Sequence, residues 1–458
     1  MGNQLLKDYT VGEHPVASGG PGFLWKIYNG VHKNTREDVS IFICNVKDIE
    51  QRFGAKNVES VLARFRHESQ LLSKLRHPLI LHPVQQLLET KAEIAMVTEP
   101  VLGSVSNILL KQYQGIPQEH VASAMKEFEL LDFEMKFGMC QVMEALAFCH
   151  KNAKIVHANL TPQNIYITPK GHWKISGFHF SLGTNSDVVP IPKQISTNHF
   201  VPSLDYAAPE YALDNAPVTE SDVFSASMIY AQLLLNQSQM KLGNKKNSSS
   251  AALLTAGLSK DTYKHQISAL EQMIDEKLVF LFNQTTAASS IIESIKRASI
   301  PNAKERSNSI FILNNCELMF GEEVKALRFL SNMEIRDPVK KASFLQTLLP
   351  MLKQKNGPQQ EAASAPMTVE LPADDDDYVF PNRIVIHKIL PALLKECRDQ
   401  KMCLFALPNV LALCTRMTEQ QFSQLVLPTL HKHCMVLSDG PNKPNQQPQI
   451  SPKIPQMV

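Results

Sequence analysis

Long apolar runs are missing from this 458-residue chain. None reaches the ~18 residues that a bilayer span requires, and the N-terminus carries no signal-peptide pattern. A cytoplasmic chain without a transmembrane segment is therefore expected. Gly2 follows Met1, but Leu6 stands where the myristoylation pattern needs Ser or Thr. An excess of one charge is missing too: 46 basic side chains face 44 acidic ones, which argues against an electrostatic nucleic-acid binder. Paired cysteines are also absent. Cys44, Cys140, Cys149, Cys316, Cys397, Cys403, Cys414 and Cys434 form no C-x-x-C and sit mostly among apolar residues, as core thiols of a reducing compartment do.

What is present has the balance of a folded soluble protein, 44% hydrophobic against 20% charged. The length exceeds what one core normally holds, so at least two domains are expected. Val39 to Cys44 is β-branched and aromatic, as a buried strand should be. Val58, Val61, Leu62, Phe65, Leu72 and Leu75 then recur at helical spacing, ending at His77-Pro78. From about residue 126 to residue 320 the pattern turns mainly helical. This order predicts a sheet-rich lobe over 1–100 and a helical lobe over 101–320, with a mobile insertion of loop composition near 241–252.

Beyond Gly321 the phrase Leu-Pro recurs, at Leu349-Pro350, Leu390-Pro391, Leu407-Pro408 and Leu427-Pro428. The 37 positions from Pro391 to Pro428 are close to one two-helix HEAT-type unit. HEAT-like helices are expected over 321–440, interrupted by a disordered linker at 354–377. A Pro-rich disordered tail is expected at 441–458.

The stretch His157-Ala158-Asn159-Leu160-Thr161-Pro162-Gln163-Asn164 follows the frame of the protein-kinase catalytic loop, H-R-D-L-x-x-x-N. Thirteen residues past Asn164, Gly177-Phe178-His179 stands where D-F-G belongs. In a kinase the first aspartate of this frame takes the substrate hydroxyl proton and the second holds Mg²⁺. Here the positions are Asn159 and Gly177. An amide is no base at neutral pH, and glycine offers no ligand. Asn164 keeps the second metal position, but one amide without a carboxylate is a poor Mg²⁺ site. No metal site is expected.

The glycine loop Ala17-Ser18-Gly19-Gly20-Pro21-Gly22-Phe23-Leu24 keeps Gly19 and Gly22 of the G-x-G-x-x-G pattern. Val39-Ser40-Ile41-Phe42 puts Phe42 in place of the phosphate-gripping lysine, on the same strand face as Ser40. Lys47, five residues on, is the nearest substitute. Glu68 lies on the apolar stripe of its helix and has lost its usual cation, so either another cation meets it or the helix turns outward. In the hinge Thr98-Glu99-Pro100-Val101, the Val101 N–H could meet adenine whereas Pro100 has none. No cofactor is expected, with ATP binding weak or absent. The architectural positions remain. Ala208-Pro209-Glu210 matches A-P-E, Arg306 stands where kinases place the partner of that glutamate, and Asp222 opens a D-x-W-S-like segment that supports the catalytic loop.

These motifs together resemble a protein-kinase fold over roughly residues 9–320. More narrowly, with Trp25-Lys26-Ile27-Tyr28-Asn29-Gly30, Trp173-Lys174-Ile175 and Leu407-Pro408-Asn409-Val410-Leu411, the chain resembles the Scy-one-like pseudokinases, in particular the coated-vesicle-associated kinase branch. The resemblance implies an α+β kinase-like bilobal fold followed by an α-helical HEAT-like repeat region. It implies a catalytically inactive scaffold in vesicle traffic between the trans-Golgi network and endosomes, on coat or adaptor partners linked to clathrin. Membrane association would be peripheral, through those partners. The chain carries no leucine-rich, acid-ended clathrin-box sequence. Two alternatives stay open: a weak unconventional Ser/Thr kinase using Asn164, and a nucleotide-binding switch without catalysis.

Overall fold

The computed structural model describes residues 6–121, 131–183, 188–241, 253–279, 286–315, 317–354, 378–433, 435–437 and 450–452. The expected insertion beyond residue 241 and most of the expected linker lie outside these residues. The chain divides into two compact units, Met1–Gly321 and Glu322–Val458. The helix Glu317–Ser331 breaks at Gly321, whose φ of 64° leaves the helical region.

The first unit opens on an antiparallel sheet. Strands β1 (Tyr9–Val11) and β2 (Ala17–Gly19) both pair with β3 (Trp25–His32), which pairs with β4 (Asp38–Asn45). Strands β5 (Pro83–Glu89) and β6 (Glu93–Thr98) complete the order β1-β3-β4-β6-β5. Alternation along β4 sorts the two faces. Val39 and Ile41 join Leu6, Tyr9 and Val97 in a cluster on one side. Ser40 and Phe42 point to the other side, Phe42 standing opposite Ile27 on β3 and Met96 on β6.

Helix α1 (Val46–Phe53) leads into α2 (Val58–Lys74), which buries Val61, Leu62, Phe65, Glu68 and Leu72 along one stripe. A charged residue within that stripe forces a partner to be found. Strand β7 (Gly103–Ser104) and the short helix α3 (Val105–Ile108) lead into the helical lobe. That lobe is built on α4 (Asp132–Phe148), α5 (Thr219–Lys241), α6 (Thr286–Ala298) and α7 (Ser309–Asn315), with α4 packed against α5 and α7. Helix α4 has buried side chains all round (Phe137, Met139, Cys140, Val142, Leu146), so it forms the centre of the lobe. The short strands β8 (Ile155–Val156), β9 (Ile165–Ile167), β10 (Trp173–Ile175) and β11 (Leu182–Gly183) carry the loops facing the sheet, with β9 paired to both β7 and β10.

The second unit is mainly helical in its described parts. Helix α8 (Pro338–Lys353) starts at Asp337, whose carboxylate caps the N–H groups of Val339 and Lys340. Helices α9 (Leu390–Glu396) and α10 (Gln400–Cys414) follow, and α10 packs on both α8 and α9. The Leu-Pro phrases have two structural outcomes. Pro350 and Pro408 lie inside α8 and α10. Pro391 and Pro428 instead follow wide π-type turns, Val385–Ile389 and Phe422–Val426. A proline ring clashes with the carbonyl four residues before it, and a widened turn relieves that clash. Within the stretch expected as a disordered tail, Ile450–Pro452 forms a strand antiparallel to Met435–Leu437.

Candidate functional site: the cleft between sheet and helical lobe

The cleft lies under β2 and β3, against the loops that carry β9 and β10. Position 42 meets rings instead of a cation. Phe42 is fully buried, edge-on to Trp25 at 6.1 Å and to Tyr166 at 5.2 Å between ring centroids. Trp25 packs edge-on to Phe65 at 5.0 Å, and Phe65 to the His179 ring at 4.6 Å. Aromatic side chains thus run continuously from the sheet through α2 to the segment after Gly177. Lys47 is exposed on α1 and does not substitute for a lysine at 42.

Glu68 faces inward and is buried, so α2 has not turned outward. Its partner is His179, whose Nε2 lies 2.8 Å from Glu68 Oε2. The other carboxylate oxygen accepts the Ser176 hydroxyl at 2.8 Å and the Gly177 N–H. Burial pushes the Glu68 pKa up, but His179 and the two donors outweigh it and hold the carboxyl below its ordinary range. The lysine–glutamate pair of kinases crosses the cleft from the sheet. Here the pair joins α2 to the residue in the glycine position of D-F-G.

The catalytic-loop frame is intact in its backbone. Asp222 accepts the N–H groups of His157 at 2.7 Å and Ala158 at 2.8 Å, and its Oδ2 lies 2.8 Å from His150 Nε2. Ala158 is held at φ 57°. His157 donates from Nε2 to the Ser176 carbonyl at 2.9 Å, and burial lowers its pKa against the pull of Asp222. Asn159 spends its amide on the Gly177 carbonyl at 3.1 Å, and Asn164 donates to the Asn159 carbonyl at 2.8 Å. Gly177 sits at φ +87°, and a side chain there would overlap Asn164, whose Cβ would be 2.6 Å from the new atom. The Asn164 amide fills the room a carboxylate at 177 would need. Glu210 and Arg306 form a two-pronged pair at 2.8 and 3.2 Å, with the Arg306 side chain fully buried over the Phe224 ring.

The hinge differs from the sequence expectation. The Val101 N–H is not open to adenine: it donates to Ser40 Oγ at 2.9 Å. The next amide, Leu102, donates to Ile167 at 2.7 Å, and Glu99 takes the Lys174 ammonium at 2.7 Å. The glycine-rich strand is tied down as well. Ser18 donates its N–H to Asn107 Oδ1 at 2.9 Å, and Ser104 donates its hydroxyl to the Ser18 carbonyl at 2.9 Å. Gly20 N–H reaches the Gln163 carbonyl at 2.9 Å, while Arg52 holds the Gly22 carbonyl at 2.6 Å. Below Gly19 stands Tyr166. A Cβ on Gly19 would overlap its hydroxyl and lie 2.8 Å from two of its ring carbons.

Sequence reasoning overlooked His179, Tyr166, Ser18, Ser104 and Asn107. Two of them left a trace. His179 stands between Phe178 and Phe180, and a titratable ring between two core aromatics asks for a buried acid. Tyr166 lies two residues past Asn164, between Ile165 and Ile167 of a buried strand. Among the described residues no cluster of three or more His, Cys, Asp or Glu is placed to hold a metal ion, and no helix is long and apolar enough to cross a membrane.

A two-lobed fold with these loops in this order is that of a protein kinase. The sequence profile of the protein kinase domain matches residues 17–349, and the chain belongs to that family. It is similar to SCY1-like protein 2 of Mus musculus, at 28% identity over 94% of the chain and 42% of the relative, and to its Homo sapiens counterpart at 27% over the same shares. The Saccharomyces cerevisiae protein kinase-like protein SCY1 matches at 24% over 76% of the chain and 43% of its own length. These similarities support the Scy1-like branch of the family. The chain spans about half the length, or less, of the curated relatives it matches.

Proposed function

We propose that the chain is a catalytically inactive, protein-kinase-like scaffold of the Scy1-like type that needs no nucleotide. One observation carries the reading. The room beneath the glycine-rich strand is filled by the protein's own Tyr166, Phe42 and Trp25, while the hinge donor at Val101 is already taken by Ser40. Loss of a general base costs ~10²–10⁴ in rate, and the missing lysine and metal ligand remove charge stabilisation, the larger catalytic contribution.

The proposed setting is the cytoplasmic face of Golgi and endosomal vesicles, with coat or adaptor proteins gripping the outer surfaces of the lobes and of a HEAT-like second unit. This part rests on the resemblance to Scy-one-like pseudokinases. Radiolabelled ATP with Mg²⁺ tests the inactivity, using protein freed of co-purifying kinases. No label transfer is expected. Transfer that disappears in Asn164→Ala would overturn the reading.

A further inference from the structure

We propose that Tyr166 is an intramolecular ligand, its phenol taking the room under the glycine-rich strand that a nucleotide occupies in protein kinases and holding the two lobes closed. The inference deepens the scaffold reading and rests on it. Tyr166 comes from β9 of the helical lobe and is 1% exposed, although it stands at the junction of two lobes. Its hydroxyl reaches Gly19 on β2, its ring meets Phe42 on β4, and the backbone on either side of Gly19 is bonded into the helical lobe. Ser18 uses its N–H, carbonyl and hydroxyl there, the last accepting Asn107 Nδ2 at 3.2 Å, and Gly20 uses its N–H.

The retained glycine therefore has a second explanation. In a nucleotide-binding kinase, glycine lets the backbone approach phosphate. Here Gly19 gives room to a phenol. A side chain at 19 must collide with a ring that is buried and cannot swing away, because Phe42 and the strand confine it.

This predicts a specific coupling between positions 19 and 166, read in the full chain by thermal unfolding and hydrogen exchange. Gly19→Ala should lower the unfolding midpoint by about 2–6 °C in the natural background. In Tyr166→Leu the same change should shift the midpoint by about 1 °C or less, because the collision is gone. Equal shifts in both backgrounds would overturn the proposal. Should Gly19→Ala fail to fold alone, folding of the double variant supports the proposal, and its failure counts against it.

Hydrogen exchange in Tyr166→Leu gives an independent reading. The amides of Ser18 and Gly20 should exchange at least tenfold faster, with those of β1 unchanged, and unaltered protection would overturn the proposal. Neither readout involves nucleotide. Label transfer by the natural chain would remove the scaffold reading and leave these outcomes standing by themselves.

Discussion

At the scale of single residues, the decisive change is where Glu68 finds its partner. A buried carboxylate is tolerable only with donors around it, and His179, Ser176 and Gly177 all come from the segment after β10. Removing one member of a buried pair costs about 3–5 kcal/mol, so His179→Ala should destabilise the chain by that order in chemical denaturation. In Glu68→Gln the further cost of His179→Ala should shrink, which a double-mutant cycle measures. The pH dependence has a definite sign. The folded-state pKa of Glu68 is held below its ordinary value, so its contribution is fully present above the ordinary glutamate pKa of about 4.3. It is lost as pH falls through the lower, folded value. Stability measured against pH should therefore fall more gently on the acid side in Glu68→Gln than in the natural chain.

At the scale of elements, the strands and long helices were legible because their apolar spacing matches the period of the structure that buries them. Val39–Cys44 became β4, and the run from Val58 to Leu75 became α2 and its C-cap. That order predicted a sheet-rich lobe followed by a helical one, and the motif frames made the expected fold kinase-like. The π-type turns before Pro391 and Pro428 were not legible, since the same dipeptide also sits within regular helix at Pro350 and Pro408. Which outcome occurs depends on packing and on which carbonyls find donors. Beside Pro408, Asn409 ties the two helices together: its amide reaches the Leu345 carbonyl on α8 and the Phe405 carbonyl on its own helix, both at 2.9 Å. Asn409→Ala should cost about 1–3 kcal/mol and speed hydrogen exchange in α8 and α10. Unchanged exchange there would show that the amide carries no weight.

The site was legible in a different way. Motif frames located Phe42, Asn159 and Gly177 but registered only what those positions lack. What fills the resulting space depends on contacts between residues far apart in sequence, such as Gly19 with Tyr166 and Ser40 with Val101.

At the scale of the whole molecule, the two lobes are joined across the cleft by the chain's own groups, including the Lys174–Glu99 pair and the Gly20–Gln163 bond. A ligand that binds only the folded state at a hundred times its Kd adds about 2.7 kcal/mol. Millimolar ATP, with or without Mg²⁺, should leave the unfolding midpoint of this chain where it is. A dose-dependent rise would mean that the cleft opens to nucleotide.

The chain holds two tryptophans, Trp25 and Trp173, and both are buried in the unit Met1–Gly321. Indole emission is therefore a private signal of the kinase-like unit, while the helices beyond Gly321 carry no indole and need another probe, such as circular dichroism. Trp25 also sits inside the aromatic run of the cleft, so the colour of its light should redden whenever that cleft lets water in.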